Sequence, residues 1–192
     1  IERELPAAFS VSLGYVGTGT VHQFVDHDIN AAPPGTGQAG RPLFAAFGRT
    51  ASTLMEDGWL SSNYHSFQLG IHKRFSHGLM LKGHYTRSKA IDFADDDGRT
   101  GLTWNWSEVL RRNRALAGFD IPNNFQMGFV YELPFGKNKA VLQGGPAASI
   151  LGGWQMNGVF AAYSGRPFTV TASGASLNAP GNKIGRASCR ER

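Results

Sequence analysis

Hydrophobic and polar side chains alternate with a period of two along much of this chain. Successive side chains of a β-strand point to opposite faces, so such a run has one apolar face and one polar face. The clearest run lies at 124–133. Its apolar positions are Phe125, Met127, Phe129, Tyr131 and Leu133, and its other face carries Asn124, Gln126, Gly128 and Glu132.

The same alternation returns at 8–15, 65–74, 79–86 and 154–163. Each predicted strand has about 9–11 residues, the length that crosses a bilayer when the strand is tilted. Strands of soluble sheets are shorter, at about 5–6 residues. Ser76-His77-Gly78 is typical of a tight turn between two of the runs. The pattern therefore predicts an all-β fold of antiparallel, up-and-down strands.

The composition of the two faces favours a membrane barrel over a soluble sandwich. Phe, Tyr, Trp and Met dominate the apolar face, as at lipid-facing positions, and the other face is small and polar, as a wet lumen requires. Lys73, Arg87 and Lys89 fall on the apolar face, but near strand ends, where long side chains can carry their charge away from lipid. We therefore expect Phe129 and its neighbours to face outward and Gln126 and its neighbours to line the inside.

The connections between the predicted strands alternate in length. Barrels of this kind place short turns on the periplasmic side and long loops outside. We expect the turn at 76–78 and the Gly-rich link at 136–153 to be periplasmic. The polar stretch 92–119 and the Pro/Gly stretch 31–40 are expected to be external. Together these features predict an incomplete piece of a transmembrane β-barrel, and we expect the chain to be a fragment.

The C-terminal residues 183–192 differ from the rest of the chain. They resemble a translated sequencing adapter, so we divide the chain into a barrel segment at 1–182 and a non-native tail at 183–192, as in a metagenomic sequence. The formal net charge is +5, but the tail holds four of the cations and one Glu, which leaves +2 for the body. This charge does not predict a nucleic-acid partner. The one cysteine, Cys189, lies in the tail, so no disulfide or thiol chemistry is expected.

Motifs for catalysis or cofactor binding lack their structural context. The string Gly35-x-Gly37-x-x-Gly40 has prolines on both sides, not the strand and helix of a dinucleotide site. The run Asp95-Asp96-Asp97-Gly98 lacks the alternate ligand spacing of a calcium loop. The six histidines form no His-Glu-x-x-His pair. We therefore expect no enzyme activity, no cofactor and no metal.

Ligand-binding residues are expected where a barrel carries function, in its long loops and its lumen. Exposed tryptophans can stack on sugars or partner proteins, although local packing of the loop is the favoured explanation for Trp104 and Trp106. The candidate residues are Asp92, Asp95, Asp96, Asp97, Trp104 and Trp106 in the loop, and Gln68, Lys82 and Gln126 in the lumen.

Several segments, taken together and in order, resemble the barrel of Oar-like TonB-dependent receptors, over roughly residues 5–180. The segments are 14–20 (GYVGTGT), 62–69 (SNYHSFQL), 73–79 (KRFSHGL), 84–92 (HYTRSKAID), 119–125 (FDIPNNF), 131–137 (YELPFGK), 151–158 (LGGWQMNG) and 164–170 (SGRPFTV).

The resemblance implies an outer-membrane barrel of about 22 strands with a plug inside. It also implies uptake of a ligand, energised by a TonB complex that acts through the plug. We expect the plug to be absent from this chain, which leaves outer-membrane lipid as its direct partner. The ligands of this family vary, so the resemblance names none.

A soluble β-rich module remains the alternative, for instance a carbohydrate binder that uses Trp104 and Trp106. Its strands would also alternate, but its apolar face would form a core. A requirement for detergent distinguishes the two, because a soluble sandwich needs none.

Overall fold

The described part of the chain, residues 1–95 and 101–190 of a computed structural model, is built mainly from β-strands. Two short α-helices, α1 (Pro42–Phe47) and α2 (Pro146–Leu151), lie in connections. The strands are β1 (Glu2–Leu5), β2 (Phe9–Asp28), β3 (Leu54–Ser76), β4 (Leu79–Asp92), β5 (Ala115–Leu116), β6 (Asn123–Glu132), β7 (Gln155–Tyr163), β8 (Pro167–Ser173) and β9 (Lys183–Arg190).

The main sheet follows the chain in the order β1-β2-β3-β4-β6-β7, with β5 added at the end of β4. The pairs β1–β2, β4–β6 and β6–β7 are antiparallel, and β8 and β9 form a separate antiparallel pair. Within the described residues the order does not return to β1. The predicted fold class, antiparallel up-and-down strands without closure, is confirmed.

Two strands are about twice as long as predicted. β2 has 20 residues and β3 has 23. The hydrophobic alternation marks only part of each, and polar residues such as Thr18 and Thr20 continue the strand. Backbone pairing needs no apolar pattern, so the prediction of about 9–11 residues per strand is wrong for β2 and β3.

The turn between β3 and β4 is the predicted tight turn. His77 and Gly78 both have positive φ, at 51° and 76°, which is the geometry of a two-residue type I′ hairpin. The ammonium group of Lys73 donates to the carbonyl oxygen of Ser76 at 3.0 Å and to its hydroxyl at 2.5 Å. Lys73 thus directs its charge to the strand end, in the way expected for a cation on the apolar face.

The chain folds as two compact units, one of residues 1–16, 66–88 and 122–164, the other of residues 17–65, 89–121 and 165–192. The first unit contains the hairpin turn, β6 and β7. The second contains the small hydrophobic core of Val25, Leu60 and Leu102, against which Trp59 and Phe93 pack.

Asparagine side chains join the loops within the second unit. Asn30 donates to the carbonyl oxygens of Arg49 and Ala51 at 3.1 and 2.9 Å. Asn182 accepts from the amides of Asn105 and Trp106 at 2.9 and 3.1 Å. An asparagine side chain both donates and accepts, so it can satisfy buried backbone groups that no regular element serves. The connections in this unit are therefore folded, with their backbone groups satisfied by side chains.

The tail is not without a partner. A non-native tail at 183–192 is expected to pack against nothing in particular, but Lys183–Arg190 forms β9 and pairs with β8 in a register from Pro167↔Arg190 to Ser173↔Lys183. That expectation is wrong for the backbone. The physical reason is that strand pairing uses backbone groups, so an extended segment of any origin can occupy a free strand edge.

Candidate ligand-binding surfaces

One face of the first unit gathers the predicted lumen residues. Gln126 on β6 lies opposite His84 on β4 and Ala161 on β7. Lys82, two positions before His84 on β4, lies opposite Gly128. It shares a face with His84 and Gln126, because side chains alternate along a strand. The amide of Gln126 also donates to the side chain of Asn124 at 3.2 Å. The polar face predicted for β6 thus continues onto β4.

The polar face also includes β2 and β3. A Cβ added at Gly14 would lie 3.8 Å from the side chain of Gln68. One added at Gly70 would lie 3.4 Å from Nδ1 of His84 and would collide with the hydroxyl of Ser12. These glycines leave an open hollow of about 420 Å³. Its wall includes Ser12, Gln68, His84 and Thr86.

The opposite face of the same strands is apolar and aromatic. Phe125 lies opposite Tyr85, and Phe129 lies opposite Leu81. The rings of Phe125 and Phe160 have centroids 5.9 Å apart. Met156 and Phe160 on β7 are about half exposed, so a contiguous apolar surface is open to the surroundings. A large exposed apolar surface on one side of a sheet marks contact with a partner or with lipid.

The second unit holds another hollow, of about 290 Å³, near the start of the predicted ligand loop. Asp92 and Asp95 both line it. Asp92 is buried, and Asp95 is exposed, with its carboxylate accepting from the amide of Gly118 at 2.6 Å. The structure therefore brings two of the predicted loop residues together, in a different unit from Gln68, Lys82 and Gln126.

The two loop tryptophans are half-buried. The guanidinium of Arg112 lies 5.6 Å from the centre of the Trp104 ring. The side-chain oxygen of Asn113 accepts from the amide of Trp104 at 2.9 Å, and its side-chain nitrogen donates to the carbonyl oxygen of Trp104 at 2.7 Å. The backbone of Trp106 is held by Asn182. The remaining predicted residues of this loop, Asp96 and Asp97, lie outside the described residues.

Sequence reasoning missed two sets of residues. The first is the group of loop asparagines, whose partners lie up to 150 residues away along the chain. The second is the set of polar side chains on β2 and β3 that line the hollow of the second unit. Asparagine-rich loops are a signal for bonds to backbone groups, but a sequence does not reveal such distant partners.

Metal-ligating side chains are not clustered in the described part of the chain. There, no group of three or more His, Cys, Asp or Glu side chains is arranged to hold a metal ion. Among the same residues, no helix has the length and apolar character needed to span a membrane.

Consecutive antiparallel strands with one aromatic face and one polar face define the wall of a β-barrel protein. The chain belongs to the outer membrane beta barrel domain family, whose model matches residues 1–191. No curated protein matches it, and no solved structure does. The protein is therefore located in the outer membrane, and the alternative of a soluble module does not hold.

Proposed function

We propose that this chain is part of the barrel wall of a TonB-dependent receptor of the Oar-like kind, which takes up a ligand and catalyses no reaction. The observation that carries the proposal is the division of the sheet, with Gln68, His84 and Gln126 on one face and Phe125, Phe129 and Phe160 on the other. Such a wall needs lipid on one side and water on the other.

Two further features support this assignment. The sheet has six strands in line without closure within the described residues. A barrel wide enough to hold a plug needs about 22 strands, so these would form one sector of it. The ordered segments from 14–20 to 164–170 resemble those of Oar-like receptors. The TonB complex would act through a plug, outer-membrane lipid would surround the wall, and we expect no nucleic-acid partner.

We assign ligand contact to the loop at 92–119 and to the polar face, where Gln68, Lys82 and Gln126 lie. The loop starts at Asp92, in the hollow of the second unit. The polar face holds the hollow of the first unit. Each is an open concave surface with polar side chains, as a ligand surface requires.

Dependence on TonB tests the proposal. The complete gene that contains this chain would be expressed in hosts with and without tonB, and uptake of a panel of labelled nutrients would be measured. We expect uptake of at least one nutrient to require TonB. If nutrients passed at equal rates in both hosts, the protein would be an open pore, and the receptor assignment would be wrong.

A loop exchange tests the assignment of ligand contact. Replacing 92–119 with a polar loop of equal length should abolish uptake, because the contacts to ligand would be lost. The matched control replaces the link at 136–153, which we expect on the periplasmic side, and should leave uptake intact. Unchanged uptake after the first exchange would remove the loop from the ligand site.

A further inference from the structure

The hollow of the second unit has an unusual concentration of hydroxyl and amide groups. Thr18 and Thr20 occupy alternate positions of β2, and Ser62 and Tyr64 occupy alternate positions of β3. Alternate residues share one face of a strand, so each pair presents its hydroxyls on the same side. All four residues line the hollow, and so do Gln23 and Asn63.

Most of these groups are available to a ligand. Among the described residues, Thr18, Thr20, Gln23, Ser62 and Tyr64 make no side-chain hydrogen bond. Hydroxyl and primary amide groups each both donate and accept, so together they match a ligand that does the same. Asn63 is held in place, because its side-chain oxygen accepts from the guanidinium of Arg114 at 2.5 Å.

The charged groups among the described residues that line the hollow are carboxylates. Its two ionisable carboxylates belong to Asp92 and Asp95, and none of the described residues that line it is a cation. The guanidinium of Arg114 lies beyond Asn63, 5.7 Å from the centre of the Phe93 ring. An acidic ligand therefore meets no opposite charge among the described lining residues.

The size of the hollow and an exposed ring at its edge also suit a small ligand. The hollow, at about 290 Å³, lies at the small end of the roughly 300–1,000 Å³ range of ligand pockets. Phe119, which lines it, is 57% exposed. An aromatic ring offers a flat apolar platform beside polar groups, which suits a molecule with both C–H and O–H faces.

We propose that this hollow binds a neutral sugar of one or two rings. The sugar would be the ligand of the receptor proposed above, so the identity of the ligand rests on the proposed function. A sugar presents many hydroxyls that donate and accept, carries no charge and has apolar C–H faces. The hydroxyls of Thr20, Ser62 and Tyr64 bond its hydroxyls, and Phe119 lies against a C–H face.

Binding is tested on the full chain in lauryldimethylamine oxide micelles, a detergent without a sugar headgroup. The probes are maltose, cellobiose and lactose, with glucuronate as the anionic probe, and affinity is measured by calorimetric titration. We expect at least one neutral sugar to bind saturably and glucuronate to bind more weakly. If none of the three neutral sugars binds, or if glucuronate binds as tightly, the inference is wrong.

Variants locate the site. The pair Thr20→Val and Tyr64→Phe removes two hydroxyls with little change of shape and should weaken sugar binding about tenfold. Ser61→Ala is the control, since Ser61 is adjacent to Ser62 but is not among the residues that line the hollow, and it should bind as the unaltered chain does. A circular dichroism spectrum equal to that of the unaltered chain establishes that the variants fold. If the double variant does not fold, Ser62→Ala alone is used in its place. Unaltered binding in the hollow variants would overturn the site.

The two proposals fail in different measurements. Sugar binding to the chain without TonB-dependent uptake would retain the hollow as a sugar site and refute the receptor. TonB-dependent uptake with no sugar binding to the chain would retain the receptor and refute the sugar site.

Discussion

The ring of Phe129 lies against the backbone of Gly158 on the neighbouring strand, where an added Cβ would come within 3.0 Å of the ring carbon Cε1. The two residues are direct partners in the β6–β7 register. The absence of a side chain at Gly158 gives the ring its place on the sheet. Phe129 is therefore part of the apolar face itself, which makes it the position of choice for testing which face meets lipid.

Phe129→Arg should lower the free energy of unfolding by about 2–4 kcal/mol, because a guanidinium on the lipid side lies in the apolar band. Gln126→Arg, three positions earlier and on the polar face, should be tolerated. Urea unfolding of the full-length protein in lipid vesicles measures both. Equal or reversed costs would show that the face of Phe129 is turned to the inside.

Lys73→Met should loosen the β3–β4 hairpin. Lys73 is 7% exposed, and its ammonium group bonds Ser76 and lies 5.5 Å from the centre of the Phe9 ring. Loss of hydrogen bonds from a charged donor should cost about 2 kcal/mol in unfolding free energy. Lys82→Met is the control, because Lys82 is exposed and makes no side-chain hydrogen bond within the described residues. Equal stability of the two variants would argue that the Lys73 contacts do not stabilise the turn.

The sequence predicted the features that depend on local pattern. Alternation at 124–133 determined which residues share a face, since parity follows from strand geometry alone. Ser76-His77-Gly78 predicted the turn, because only a few residue types accept positive φ at two successive positions. The full length of β2 and β3 was missed, because Thr18 and Thr20 pair through the backbone without an apolar signal.

The candidate site depended on distant partners and was predicted only in part. Asp92 and Asp95 were identified as loop residues, but the hydroxyls of Thr20 and Tyr64 beside them were not. Their proximity results from the β2–β3 pairing, which a single sequence does not specify at that point. The strand formed by 183–190 was missed for a related reason, because an edge pairs with whatever extended segment reaches it.

Deletion of 183–192 tests whether β9 contributes to stability. The pairing of β8 with β9 runs through backbone groups at the end of the chain. We expect the deletion to change the unfolding free energy by less than about 2 kcal/mol, which is within the range of ordinary single substitutions. Urea unfolding in detergent measures the change. A larger loss would mean that residues 183–192 belong to the folded protein and would contradict their origin as an adapter.

Asn182→Ala should open the loops of the second unit. Asn182 is 7% exposed, accepts from the amides of Asn105 and Trp106, and donates to the carbonyl oxygen of Ala32 at 2.9 Å. Its loss leaves three backbone groups without their side-chain partner, at a cost of about 2 kcal/mol. Hydrogen exchange should accelerate at the amides of Asn105 and Trp106 in particular. Asn157→Ala on β7 is the matched control, because Asn157 makes no side-chain hydrogen bond within the described residues. Unchanged exchange at Asn105 and Trp106 would mean that Asn182 does not join these loops.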